Sequence, residues 1–313
     1  MLFRSGARSL PCHSAILPAW NYGVGAGDRG RGRLSRETSS VDLQFKHPPY
    51  RGGRPSFYPP RMPELPEVET IVQELRPLLA GRRFGRGKLS HDDVLRGVTR
   101  RKLIAGLEGA TVVDVTRRAK HAVLVLAGRR DGGKAGGRRV PARSGGAAAS
   151  RHPAIPPSRL VIQPGMTGSL LVYDRALTRD EARYAVLRLP LDDGRELVYR
   201  DVRRLGTILL LDDKAWQGYD RAIGPEPLNG SLSDAEFVAT LRSSRQAIKK
   251  VLMDQRKLAG VGNIYANEAL FAAGIDPSRA ANRITPEEAQ RLLQDVRRIL
   301  NAAIRSKGTT FRD

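Results

Sequence analysis

Cysteine is all but missing. Cys12 is the only one in 313 residues, so neither a disulfide framework nor a cysteine-rich metal site can be assembled from this sequence. No apolar run approaches the roughly 20 residues that a membrane-spanning helix needs. Acidic residues are also scarce, 32 against 54 lysines and arginines, which leaves a formal net charge of +22. These shortages point to a reducing, cytoplasm-like compartment, no membrane span and a polyanionic partner. The charge is unevenly spread. Residues 1–62 hold 10 basic against 3 acidic residues, and residues 129–158 hold 7 against 1. More than half of the excess therefore lies in two stretches without the apolar periodicity of folded chain, and the remainder still favours nucleic acid over a neutral substrate.

What is present divides the chain in order. Residues 1–61 are dominated by Arg, Gly, Pro and Ser and cannot bury enough apolar surface to offset their ordering entropy. They read as a disordered extension, either upstream sequence translated from an early start or an organellar targeting segment. Order begins at Met62. Val68, Ile71, Val72, Leu75, Leu78 and Leu79 recur at helical spacing over Glu67–Leu79, with acidic residues in the first turn. Strand-like runs follow at 111–128, 159–173, 184–191 and 196–212, interrupted by a low-complexity insertion at 129–158. GPEPL (224–228) is a Pro-punctuated linker. Beyond it the period becomes helical, with Ser233 and Thr285 as N-caps and Glu288 completing a capping box. The expected fold is α+β: an antiparallel β-sandwich or barrel over 62–223, then an α-helical domain over 229–313.

The sharpest local signal is MPELPEVET (62–70). With Met62 removed, Pro63 presents a secondary amine, and an α-amino group with a pKa of about 7.7–8.0 is partly neutral near pH 7. Such an amine forms Schiff bases with sugar aldehydes, and Glu64 beside it is a candidate general acid. The bland alternative is a proline-initiated helix start. Further along, Gly260 and Gly262 open a tight turn before IYANEAL, which aims backbone N–H groups outward at a helix N-terminus, an anion-binding arrangement. Taken singly, Lys120 would be a solvated charge, Met166 a core residue and GVGN an interhelical turn.

Together these blocks resemble the formamidopyrimidine-DNA glycosylase family. MPELPEVET is similar to its amino terminus and differs from the opening of the sister endonuclease VIII branch. RRAKHAVLVL (117–126), GMTGSLLV (165–172), DVRRLG (201–206) and the stretch 247–277 agree in order and spacing, so the likeness spans Met62 to Asp313. The resemblance implies base-excision repair of oxidised purines such as 8-oxoguanine and formamidopyrimidines, with abasic-site lyase activity, on double-stranded damaged DNA and by a monomer. It gives Pro63 attack at C1′ of the damaged nucleotide, with Glu64 and Lys120 as proton-transfer and positioning groups. Met166 would fill the gap left by the extruded base, Arg203 would face the orphaned base, and Leu205 would wedge beside it. Arg204 joins them on DNA, and the helix–two-turn–helix element would grip phosphate through Lys249 and Asn263.

Four departures accompany the likeness. Gln163-Pro164 stands where the family has His-Leu, and Leu205 stands for a phenylalanine. With residues 1–62 attached, the Pro63 nitrogen is a tertiary amide whose delocalised lone pair cannot attack. The family's four-cysteine zinc finger is not among these residues, so no metal or other cofactor is expected in this chain. A catalytically impaired DNA-binding remnant is therefore the second reading. A non-repair module sharing only the helical element is the third, disfavoured by MPELPEVET and RRAK.

Overall fold

The computed structural model describes residues 63–128 and 157–307. The expectations for residues 1–62, for the insertion through 156 and for 308–313 lie outside these described residues. Ser158, read as the last insertion residue, belongs instead to a strand and pairs with Leu126 across an antiparallel hairpin.

In chain order the elements are α1 (Leu65–Leu79), β1 (Lys88–Leu89), α2 (Arg100–Leu107), β2 (Thr111–Arg118), β3 (His121–Ala127), β4 (Ser158–Gln163), β5 (Gly168–Tyr173), α3 (Arg179–Arg183), β6 (Ala185–Pro190), β7 (Glu196–Asp201) and β8 (Thr207–Asp212). Then come α4 (Asp213–Arg221), α5 (Asp234–Arg242), α6 (Ile248–Met253), α7 (Asn263–Ala272) and α8 (Pro286–Arg305). The strands form two four-stranded antiparallel sheets, ordered β2-β3-β4-β8 and β1-β6-β7-β5. Leu124, Leu160, Leu187, Leu197 and Tyr199 fill the core between them, while α1 lays Val68, Val72, Leu75 and Leu79 against the same core. The helical domain has its own core, built from α5 through α8. The α+β expectation holds.

Helix α1 begins two residues earlier than its periodicity suggests. Pro66 sits in the first turn, where its missing N–H costs no hydrogen bond. Leu65, fully buried, packs in the helical domain's core rather than in the sandwich. The first turn of α1 is thereby pinned where the two cores meet, next to Pro63.

Each long strand-like run is two strands. Residues 111–128 make the β2–β3 hairpin with Ala119 at φ 51° in its turn. Runs 159–173 and 196–212 both cross from one sheet to the other, β4 to β5 and β7 to β8. Gln163 pairs with Thr207 and Gly168 with Asp201, so the two crossover loops leave the sandwich side by side.

Residues 224–228 are not a free linker. Glu226 is 5% exposed, and its carboxylate accepts from Arg117 Nη1 at 2.8 Å, Arg118 Nη1 at 3.1 Å and the Ala119 N–H at 2.7 Å. The Gly224 N–H donates to the Gln255 carbonyl at 2.8 Å, and the Ala259 N–H donates to the Pro225 carbonyl at 3.0 Å. The connection is thus a clamp between the β2–β3 turn and the helical domain.

Candidate active site and nucleic-acid interface

Glu64 caps α1 at the domain junction, and its backbone N–H donates to the Glu67 carboxylate at 2.9 Å. The Tyr265 hydroxyl donates to the other Glu67 oxygen at 2.6 Å. Across the junction, the Leu65 N–H donates to the Gly260 carbonyl at 3.1 Å. The Glu64 carboxylate turns toward the N-terminus of α7, where it accepts the Gly262 N–H on one oxygen and the Ile264 N–H on the other, the latter at 2.8 Å. A carboxylate at that position is favoured by the exposed amides and dipole of the helix start.

Lys120 reaches the same point from the sandwich. It occupies the second position of the β2–β3 turn, and the two arginines that lead into the turn are held by Glu226; Arg117 also pairs with Glu69 at 2.9 Å and Arg118 with Asp220 at 2.6 Å. The turn is fixed through these arginines on one side and on the other by His121, whose Nε2 lies 3.0 Å from the Tyr219 hydroxyl. A Cβ on Gly262 would overlap the Glu64 carboxyl carbon and the Lys120 ammonium together, so the absent side chain is what lets the two groups converge. Gly260, at φ 82°, lets the turn press directly on Leu65.

Burial drives the electrostatics of this pair. It pushes the Glu64 carboxyl above its ordinary value, opposed by the nearby Lys120 charge and the two α7 amides. Burial likewise pulls the Lys120 ammonium below its ordinary value, opposed by Glu64 and Glu67. The carboxyl is thus shifted toward holding a proton and the amine toward releasing one, which suits proton transfer. Pro63, half-buried, directly precedes Glu64. The three residues that the sequence nominates for chemistry stand together, with Asn263 one position into α7.

The second cluster sits on the paired crossover loops. Met166 is half-buried in the β4–β5 loop, and Arg203 Nη1 approaches its sulfur at 3.7 Å. Arg203, Arg204 and Leu205 are exposed, Leu205 at 50%. The two arginines differ. Arg204, at φ 51°, turns its Nε to Asp93 at 2.8 Å, whereas Arg203 lies along the Met166 loop. In the helical domain, Lys249 lies on α6 without an ion pair among the described residues, and Asn263 is exposed at the first position of α7.

Three structural roles escape the sequence reading. Glu226 is the one charge in GPEPL, and Asp201 lies inside the DVRRLG block, yet neither draws attention there. Gln255 shapes the two-turn element: its Oε1 accepts the Gly260 N–H at 2.8 Å while its Nε2 donates to the carbonyls of Val261 and Met253 at 2.7 and 2.9 Å.

With this geometry in place, two family patterns match the chain: "Formamidopyrimidine-DNA glycosylase N-terminal domain" over residues 62–208 and "Formamidopyrimidine-DNA glycosylase H2TH domain" over 223–313. A formamidopyrimidine-DNA glycosylase of Thermomicrobium roseum is 37% identical over 273 residues, covering 80% of this chain and 82% of that protein. One from Halorhodospira halophila is 38% identical over 253 residues, with coverages of 80% and 82%. Among solved structures, the MutM (Fpg) protein of Thermus thermophilus aligns with a TM-score of 0.61 at 32% identity, over 80% of this chain and 79% of that one. The Lactococcus lactis Fpg (MutM) in complex with Fapy-dG-containing DNA aligns with a TM-score of 0.65 at 26% identity, over 79% and 82%.

Proposed function

The chain belongs to the formamidopyrimidine-DNA glycosylase family and is a base-excision repair glycosylase, and on that premise we propose that it removes oxidised purines from duplex DNA and then cleaves the abasic site through the Pro63 nitrogen. The observation that carries this reading is the convergence of Glu64 and Lys120 on Gly262, directly beside Pro63.

The lesion nucleotide is flipped out of the stack. Freed of Met62, the Pro63 secondary amine attacks C1′ and the damaged base leaves. Glu64 delivers a proton to the ring oxygen, the sugar opens, and an iminium joins C1′ to Pro63. Loss of a C2′ proton expels the 3′ phosphate, and a second elimination expels the 5′ phosphate. Lys120 positions the reacting sugar and exchanges protons with Glu64. Met166 fills the vacated stack, Arg203 faces the orphaned base, and Leu205 wedges beside it. Lys249, Asn263 and the α7 amides hold backbone phosphate. The acting species in this reading is a cytoplasmic monomer.

One feature of the sequence favours a second state. The Met62–Pro63 peptide bond makes the nucleophile an amide, so the form that keeps this bond binds damaged DNA without cutting it.

The test is excision from duplexes carrying 8-oxoguanine or uracil, by protein shown by mass spectrometry to begin at Pro63. Selective loss of 8-oxoguanine with a gap bearing phosphate at both ends is the expected product. Base release that leaves the strand intact, or preference for uracil, contradicts the proposal.

A further inference from the structure

The crossover loops carry the groups proposed to meet DNA, yet the residue that joins them is not one of those groups. Asp201, 1% exposed at the end of β7, receives hydrogen bonds on both carboxylate oxygens. Oδ2 accepts the Gly206 N–H at 2.8 Å and the Tyr199 hydroxyl at 3.0 Å, which closes the turn 202–205 on itself. Oδ1 accepts the Thr167 hydroxyl at 2.5 Å, from the other loop. That same Thr167 oxygen accepts the Arg203 N–H at 3.0 Å. Asp201, Thr167 and the Arg203 backbone therefore form one relay across the two loops, with Met166 adjacent to Thr167 in sequence.

The backbones support the relay. A Cβ on Gly165 would overlap the Gly206 N–H and the Leu205 carbonyl carbon, and one on Gly206 would overlap the Tyr199 hydroxyl. The loops touch main chain to main chain, while the side chains of Met166, Arg203 and Leu205 are left outside. A buried carboxylate with three protein donors and no cation in the contact is costly to disturb, since removing one donor strands a charged acceptor.

We propose that Asp201, acting through Thr167, couples the Met166 loop to the Arg203–Leu205 turn so that the two engage DNA as a single rigid unit. Asp201 is thus a positioning residue for lesion engagement. The inference rests on the reading of these loops as the DNA-facing surface. Insertion of Met166 and placement of Arg203 against the orphaned base are then one event rather than two.

The experiment uses the full chain, in which binding is read without chemistry. The probe is a duplex holding a tetrahydrofuran abasic analogue, with a fluorescent base opposite it to report side-chain insertion. If the wild type does not distinguish this duplex from an intact one, the DNA-facing reading itself fails. If it does, Thr167→Val should weaken the preference for the abasic duplex by about tenfold while binding to intact duplex stays within about twofold. Thr167→Ser, which keeps the hydroxyl, should restore it. Adding Thr167→Val to Met166→Ala should cause no further loss, because both interrupt one event. Multiplicative losses, or a silent Thr167→Val, overturn the coupling. Hydrogen exchange on the unmutated protein gives a readout independent of variants. The amides of Arg203 and Gly206 should exchange together at one protected rate, and separate rates overturn the single-unit claim.

Discussion

Glu64 is 2% exposed and Lys120 8%, whereas Leu205 is 50% exposed and Arg203 and Asn263 lie open to solvent. The first pair is placed by contacts far apart in sequence: α7 amides hold Glu64, and Glu226 fixes the turn that carries Lys120. In the second group the backbone is held while the side chains lie largely in solvent. On the proposed reading, the groups that move protons are set in place before DNA arrives, in a buried site, as catalysis by preorganised electrostatics requires. The groups proposed to touch bases remain open to solvent, with Arg203 resting against the Met166 sulfur.

The contrast has a cost in stability that can be measured. Glu64 has a folded pKa raised above its ordinary value, so its contribution is full at low pH and is lost as pH rises through the raised value. Lys120 has a lowered one, so its contribution is full above its ordinary pKa of 10.5 and is lost as pH falls through the lowered value. Ionising either group therefore weighs against the fold.

Substitutions test whether the two groups behave as differently as their burial implies. The largest effect is expected from Glu64→Gln, which removes the proposed proton donor. Single-turnover excision by protein beginning at Pro63 should slow by about 10²–10⁴-fold, while the loops still engage DNA. Next is Glu226→Ala, which leaves Arg117 and Arg118 buried without their shared carboxylate. Denaturant unfolding should show a loss of roughly 3–5 kcal/mol, the usual cost of breaking one side of a buried pair. Lys120→Met should lower activity yet leave the protein at least as stable as wild type near pH 7, with the advantage fading as pH approaches 10.5. A destabilised Lys120→Met at neutral pH would reverse the sign argued here. The smallest stability change belongs to the exposed group. Leu205→Ala should move unfolding by no more than about 0.5 kcal/mol while weakening lesion engagement. In the same class, Lys249→Ala should weaken binding to every duplex and reduce the salt slope by about one.

Legibility in the sequence follows the same division. Helices α1 and α8 announce themselves through periodic apolar residues, and the capping box at Thr285 and Glu288 is present as expected. Helix α2 escapes notice because only Leu103 and Leu107 are buried, and Gly106 stands where a Cβ would meet Leu210. Alternation marks strands but carries no record of which sheet a strand joins. The crossovers at Pro164–Thr167 and Val202–Gly206, which bring Met166 to Arg203, are therefore invisible until the chain is folded. Motif spacing points to Pro63, Glu64 and Lys120. It is silent on Glu226 and Asp201, whose partners lie up to 109 residues away. A carboxylate buried by long-range pairing leaves no periodic trace.

The central claim is that Pro63, beside the Glu64–Lys120 pair, is the nucleophile. The direct measurement is borohydride trapping on abasic-site DNA followed by peptide mapping, with the protein in two forms, one beginning at Pro63 and one retaining Met62 in peptide linkage. The account predicts a covalent adduct on the Pro63 nitrogen in the first form and none there in the second. An adduct on another residue of the Pro63-initiated form, or equal trapping of both forms, would contradict it.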